Sequence, residues 1–208
     1  MMSPLCLDQS DPRLLGALRE LLETGGVLIF PTDTVYGLGG NPWDERAVHR
    51  VRRMKGRSAE QPFTVHLPAT EAIERVARLD RRTRRAIELV LPGPVTLLLP
   101  AAPGAPAAAV RAGRVGVRVP AHPFFQDVLR ATDGTLFGTS VNRSGEPPLL
   151  NLEAMIESFS GVDLIVEADA GTGQASAVID LTADPFRAVR GTVPEILRSP
   201  LRPDTDGS

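Results

Sequence analysis

Residues 27–67 read VLIFPTDTVYGLGGNPWDERAVHRVRRMKGRSAEQPFTVHL. Val27 to Phe30 is a short apolar run, the signature of a buried strand. Pro31 ends it, and Gly37, Gly39 and Gly40 follow. Thr32, Asp33, Thr34 and Tyr36 lie between, on a segment too rich in glycine to be a helix. A basic helix from Asp44 to Met54 comes next, with Ala47, Val48, Val51 and Met54 on its inner face. Lys55-Gly56-Arg57-Ser58 then leads to a second strand, Phe63 to Leu67. Strand, polar glycine loop, cationic turn and strand together describe a small-molecule site.

Composition sharpens this reading. The chain holds 23 basic residues, of which Lys55 is the one lysine and the other 22 are arginine. Tyr36 and Trp43, the single tyrosine and tryptophan, fall in the same stretch. A chain so biased to arginine points to a position where a compact ammonium does what a planar guanidinium cannot. Chance is the plain alternative.

Working outward, 208 residues with 42% hydrophobic content suit a single domain with a real core. The net charge of -2 excludes a generic polyanion binder and leaves room only for a local basic patch. The single cysteine, Cys6, excludes an internal disulfide and a cysteine-based metal site. The start, MMSPLCLDQS, lacks the charged and apolar regions of a signal peptide. No apolar run has the length of a membrane span, so a cytoplasmic protein without membrane contact is expected.

Asp11-Pro12 reads as the start of a helix carrying Leu14, Leu18, Leu21 and Leu22 and stopping at Gly25-Gly26. Thr70 and Asp80 read as caps of two further helices. Their arginines, Arg75, Arg78, Arg81, Arg82, Arg84 and Arg85, either touch RNA phosphates or pair with nearby acids on a solvated surface. Strands are expected at 95–99, 115–119, 135–139, 163–168 and 175–181, with a last one at 188–190. Residues 100–113, rich in Ala, Pro and Gly, read as a flexible connection or lid. Strands alternate with helices throughout, which predicts an α/β fold. The expected domain covers residues 8–200, followed by a disordered tail at 201–208.

The chain has no GxxxxGK[ST], GxGxxG, HExxH or GxSxG. What remains is a set of cations and hydroxyls near strand ends. Such a set suits an anionic ligand, or phosphoryl and nucleotidyl transfer, where positioning and charge stabilisation carry the catalysis.

Five motifs in order, PTDTVYGLGG, KGRSAEQPFTVHL, PGPVTLLL, VGVRVPAHP and TSVNRSGEPP, resemble those of the YrdC-like family of threonylcarbamoyl-AMP synthases, in its single-domain form. The resemblance spans residues 12 to 198. It implies a twisted mixed α/β sheet, flanked by helices, around a basic cavity. It implies the conversion of L-threonine, bicarbonate and ATP, with Mg2+, to threonylcarbamoyl-AMP and pyrophosphate, which serves threonylcarbamoyl modification of tRNA adenosine 37. Downstream threonylcarbamoyl-transfer proteins are then partners, and tRNA or double-stranded RNA is a further contact the arginines allow.

By the same resemblance, Lys55 and Arg57 are catalytic and neutralise the ATP phosphates. Gln61, Ser140, Asn142 and Arg198 contact the nucleotide. Thr34, His66, Arg118 and Ser176 hold threonine, with Arg118 on its carboxylate. No protein metal site is implied. Where the family reads Glu-Ser-Thr this chain has Ala175-Ser176-Ala177, and where the family reads Arg-Pro-Gly it has Arg198-Ser199-Pro200. Two other readings stand beside this one: a YciO-like paralogue of the same fold, and an RNA-binding module without the activity.

Overall fold

Alternation of apolar residues along the strands sets the layering. In the computed structural model, which describes residues 4–132, 134–169 and 171–198, the chain opens with β1 (Leu5–Asp8), α1 (Leu14–Thr24), β2 (Val27–Phe30), β3 (Gly37–Gly40) and α2 (Glu45–Lys55). It continues through β4 (Thr64–His66), α3 (Arg81–Val90), β5 (Val95–Pro100), β6 (Val110–Arg111), β7 (Arg114–Arg118) and β8 (Leu136–Ser140). It closes with α4 (Leu152–Ser158), β9 (Leu164–Glu167), β10 (Ala177–Asp180) and β11 (Arg187–Arg190).

Val27 and Ile29 of β2 pack beneath α2 and α4, with Val51 and Phe159. Leu28 and Phe30, their alternates, pack beneath α1 with Leu14 and Leu18. Phe137 and Leu136 of β8 divide in the same way, as do Ile165 and Leu164 of β9. The period of two therefore feeds a core on each face, and helices cover both. A further core joins Ile87 of α3 to Leu97, Val117 and Ile179.

The strands form one mixed sheet in the order β1-β9-β2-β3-β8-β4-β7-β5-β10-β11, with β6 alongside β7. β4 runs parallel to β7 and antiparallel to β8. This is the single-domain α/β architecture the sequence predicts. The expected boundary at 200 and the tail 201–208 lie outside the described residues.

Local chemistry explains the helix ends. Asp44 caps α2 by accepting from the backbone N–H of Arg46 and Ala47. Asp80 caps α3 as expected, and the Thr83 side chain accepts from the Asp80 N–H in return. The start of α1 differs from expectation. Arg13 is at its N-cap, because the Asp11 carboxylate folds back onto the Arg13 N–H at 2.8 Å. The helix expected from Thr70 is a short 3-10 turn, Thr70–Arg75, with Ala69 as its cap. It stops because Ala77 bridges Ala101 and the Arg78 N–H turns to Pro100 O.

The 100–113 segment, read from composition as a flexible connection or lid, carries a 3-10 turn, the short strand β6 and tethers to distant residues. The indole N–H of Trp43 donates to Gly104 O at 3.1 Å, and the Phe63 N–H to Ala108 O at 3.0 Å. Val110 and Arg111 pair with β7. These tethers come from residues distant in sequence, which local composition does not reveal.

Candidate active site

Glycines hollow out one face of the sheet. Gly138 of β8, Thr64 of β4 and Gly116 of β7 lie side by side, and Gly37 of β3 pairs with Ser140. A Cβ on Gly37 would come within 2.4 Å of the Phe30 ring, and one on Gly138 within 2.7 Å of the His66 ring. Close approach requires glycine at both positions. A cavity of about 180 Å³ opens there. His66 and Ser140 end antiparallel neighbours, so both margins of these short strands contribute. The site therefore spans the sheet face instead of one crevice at strand C-terminal ends.

Arg118 sits at the end of β7 in register with His66. Its guanidinium is 5% exposed and pairs with the Asp33 carboxylate, which also accepts from the Ala121 N–H. The Arg118 Nε–H is buried and has no acceptor. Burial lowers the Arg118 pKa, an effect that Asp33 opposes. His66 places Nδ1 3.2 Å from Thr64 O. Burial, and then the charge of Arg118, pull its pKa down to about 3, so the imidazole is neutral at physiological pH.

Arg57 enters from the turn after α2. Its Nη1 donates to Thr139 Oγ1 at 3.2 Å and its Nη2 to Pro62 O at 2.6 Å, while the guanidinium lies 5.1 Å from the Phe63 ring centre. Ser176 meets Thr96, oxygen to oxygen, at 3.0 Å. Arg190 of β11 donates to Ser176 O at 2.8 and 3.0 Å. Arg57, Arg118 and Arg190 thus line one cavity beside a neutral histidine.

Of the residues singled out in the sequence, Arg57, His66, Arg118, Ser140 and Ser176 line this cavity. Thr34 is buried behind it. Thr32, which does line it, spends its own proton on Val35 O and accepts from Thr34 Oγ1 at 3.0 Å. Gln61 is exposed, and its carbonyl accepts from Arg57 Nε at 3.4 Å. Arg198 is exposed, with Nε on Val193 O. Arg190, which the sequence reading did not single out, lines the cavity. Placed in a largely exposed strand, it gave no signal of its own.

Lys55 is 4% exposed and lies behind Ser140. Its ammonium donates to Ser140 O at 2.5 Å, Asn142 O at 2.6 Å and Asn142 Oδ1 at 3.1 Å. Burial, and then Arg57, pull its pKa down to about 7. The three oxygens act the other way, since a neutral amine has only two hydrogens to offer.

The family model for Sua5, YciO and YrdC proteins, described as telomere recombination, matches residues 20–192. The chain belongs to the Sua5/YciO/YrdC family. It is 34% identical to threonylcarbamoyl-AMP synthase of Pyrococcus abyssi, over 82% of this chain and 50% of that protein. It is 33% identical to the human threonylcarbamoyl-AMP synthase, over 81% of this chain and 63% of that one. It thus spans about half to two thirds of the length of these relatives. Among solved structures, P. abyssi Sua5 complexed with L-threonine superposes with a TM-score of 0.81 at 29% identity, covering 91% of this chain and 57% of that one. E. coli YciO superposes with a TM-score of 0.82 at 26% identity, covering 94% and 98%.

Five arginines in and beside the helices of this family member pair with nearby acids. Arg46 meets Asp44, Arg50 meets Asp163, Arg82 meets Asp184, Arg84 meets Glu74 and Arg85 meets Glu88. That is the solvated-surface arrangement, and it weakens the RNA-module reading. No helix of the described residues is long and apolar enough to cross a membrane.

Proposed function

We propose that this chain is an L-threonylcarbamoyladenylate synthase, joining L-threonine, bicarbonate and ATP into threonylcarbamoyl-AMP with release of pyrophosphate. The observation that carries this reading is the convergence of Arg57, Arg118 and Arg190 on one cavity beside His66 and Ser176. Fixed guanidinium groups suit the oxygens of a carboxylate and of phosphates, to which they give charge-assisted hydrogen bonds. Arg118 would hold the threonine carboxylate, with Ser176 and neutral His66 around the rest of the amino acid. The relatives named threonylcarbamoyl-AMP synthase and the threonine complex of P. abyssi Sua5 support the assignment.

The chemistry suits a site without a nucleophile of its own. The threonine amine adds to bicarbonate carbon and water leaves, giving a carbamate. A carbamate oxygen attacks the α-phosphorus, and pyrophosphate leaves with its bonding electron pair. Arg57 and Arg190 would offset charge on the phosphates, with Ser140 beside them. At about 180 Å³ the cavity is smaller than the roughly 300–1,000 Å³ of pockets for drug-sized ligands. It would take the amino acid and reacting phosphate, with base and ribose in the mouth.

Among the described residues no cluster of three or more His, Cys, Asp or Glu could hold a metal ion. Mg2+ would therefore arrive on the ATP phosphates as part of the substrate. The labile product would pass to downstream transfer proteins for tRNA adenosine 37, in the cytoplasm.

A YciO-like role is the second reading, favoured by the near-complete overlap with E. coli YciO. Pyrophosphate release with ATP, Mg2+, bicarbonate and L-threonine, absent without threonine and lower with serine, separates the two. No release above background would favour the YciO-like role.

A further inference from the structure

We propose that Lys55 is a positioning residue: its ammonium ties the Ser140–Glu146 loop to the end of α2 and so sets Ser140 at the cavity, and it does not ligate phosphate. This inference rests on the proposed activity for its kinetic readout, but its geometry stands independently.

Gly56 makes the separation of the two cations. It caps α2 in the left-handed conformation at φ 62°. The chain therefore reverses between Lys55 and Arg57. Arg57 turns over Phe63 into the cavity, whereas Lys55 turns inward beneath the loop. Lys55 has three N–H bonds, and three oxygens of Ser140 and Asn142 take them. An ammonium so occupied has no hydrogen left for a phosphate oxygen.

The loop is built around that ammonium. The Ser140 hydroxyl donates to Asn142 Oδ1 at 2.5 Å, which Lys55 also contacts. The Asn142 amide donates to Arg143 O and Glu146 O, both at 2.8 Å. The Ser144 N–H closes the circuit on Lys55 O at 3.2 Å. Asn142 is thereby part of the same support, and Ser140 is the member that faces the cavity. The geometry also accounts for the composition. Three oxygens converging on one point suit a tetrahedral ammonium, whereas a planar guanidinium spreads its donors over a wider fork. In a chain that otherwise uses arginine, this position requires lysine.

Two experiments on the full chain test the proposal. Lys55 is the one lysine, so isotope-labelled lysine yields a single side-chain nitrogen signal. The expected signal is an ammonium slow to exchange with water, whose shift stays constant as MgATP is added. A signal that exchanges freely, or that moves with MgATP saturation, overturns the proposal. This readout needs no turnover, so it holds even if the wild type makes no pyrophosphate, a result that would instead count against the proposed activity.

The second experiment compares Lys55→Arg, Lys55→Met and Asn142→Ala by kcat/KM for pyrophosphate release. Arginine would keep a positive charge for a phosphate in the open cavity, whereas the buried pocket of three converging oxygens around Lys55 has no room for a planar guanidinium. Lys55→Arg is therefore expected to lose as much activity as Lys55→Met, with the Lys55→Met/Asn142→Ala double variant no worse than the worse single variant. Recovery by arginine, or losses that multiply in the double variant, overturns the proposal.

Discussion

Asp33 and Arg118 form an ion pair across the back of the cavity, and both partners are largely buried, at 12% and 5% side-chain exposure. Asp33 belongs to the loop between β2 and β3, and Arg118 ends β7, so the pair joins segments 85 residues apart in sequence. Gly171 locks the loop from the other side: its N–H donates to Thr32 O at 3.0 Å, and a Cβ there would lie 2.0 Å from Asp33 O.

Breaking one side of this pair should be costly. Arg118→Met leaves the Asp33 carboxylate buried, still accepting from the Ala121 N–H but without its cation. Removing one partner of a buried pair typically costs about 3–5 kcal/mol, through the uncompensated charge left behind. Chemical denaturation of Arg118→Met should show a loss near the low end of that range. Asp33→Asn/Arg118→Met should recover part of it, since neither charge then remains.

Arg190 and Arg198 provide an internal contrast. A hydrogen bond to a charged group contributes about 1.5–3 kcal/mol. Arg190→Ala should therefore lower kcat/KM for pyrophosphate release by roughly 10- to 150-fold. Arg198 is exposed and bonds the backbone of Val193, so Arg198→Ala should stay within about twofold of wild type. Equal losses in both variants would contradict the placement of Arg190.

His66 should make the fold acid-sensitive. Its pKa is pulled down to about 3 in the folded chain, against about 6.5 when unfolded. Between these values the unfolded chain binds a proton that the folded chain refuses. Stability therefore falls as pH drops from about 6.5 towards 3, by up to ~1.4 kcal/mol per pH unit from this group. Denaturation midpoints measured across that window should show a steeper decline for wild type than for His66→Gln.

Gly138→Ala tests the hollow directly. The added Cβ meets the His66 ring at 2.7 Å and Phe30 Cζ at 2.9 Å, so the imidazole must move. Misplacing one hydrogen-bonding group costs about 1–1.5 kcal/mol. The KM for threonine should rise about tenfold, with a smaller change in the KM for ATP. A larger effect on ATP would place His66 at the wrong substrate.

The sequence reading succeeded where a segment announces itself locally. The apolar run Val27–Phe30 and the Asp80 cap of α3 carry their meaning in a few neighbouring residues. It failed where partners are remote. Gly37 to Gly40 reads as a loop, yet it is a strand because β2 and β8 flank it on both sides. Leu5 to Asp8 has Leu7 as its one buried residue, too weak a pattern for a strand until β9 pairs with it. Arg190 lies on a strand with a largely exposed pattern, which carries no local sign of a cavity residue. A burial-independent clue was present in the glycines of adjacent strands, whose missing side chains make room for a ligand. The Lys55 contacts were not legible at all, since its three acceptors lie 85 and 87 residues away.

The most direct test of the central claim follows the carbon of bicarbonate. The pure chain is incubated with ATP, Mg2+, L-threonine and labelled bicarbonate, and the nucleotide products are separated and weighed by mass spectrometry. The account predicts a labelled threonylcarbamoyl-AMP formed in step with pyrophosphate and lost when threonine is omitted. Pyrophosphate release without label in a nucleotide product, or no nucleotide product at all, would contradict it.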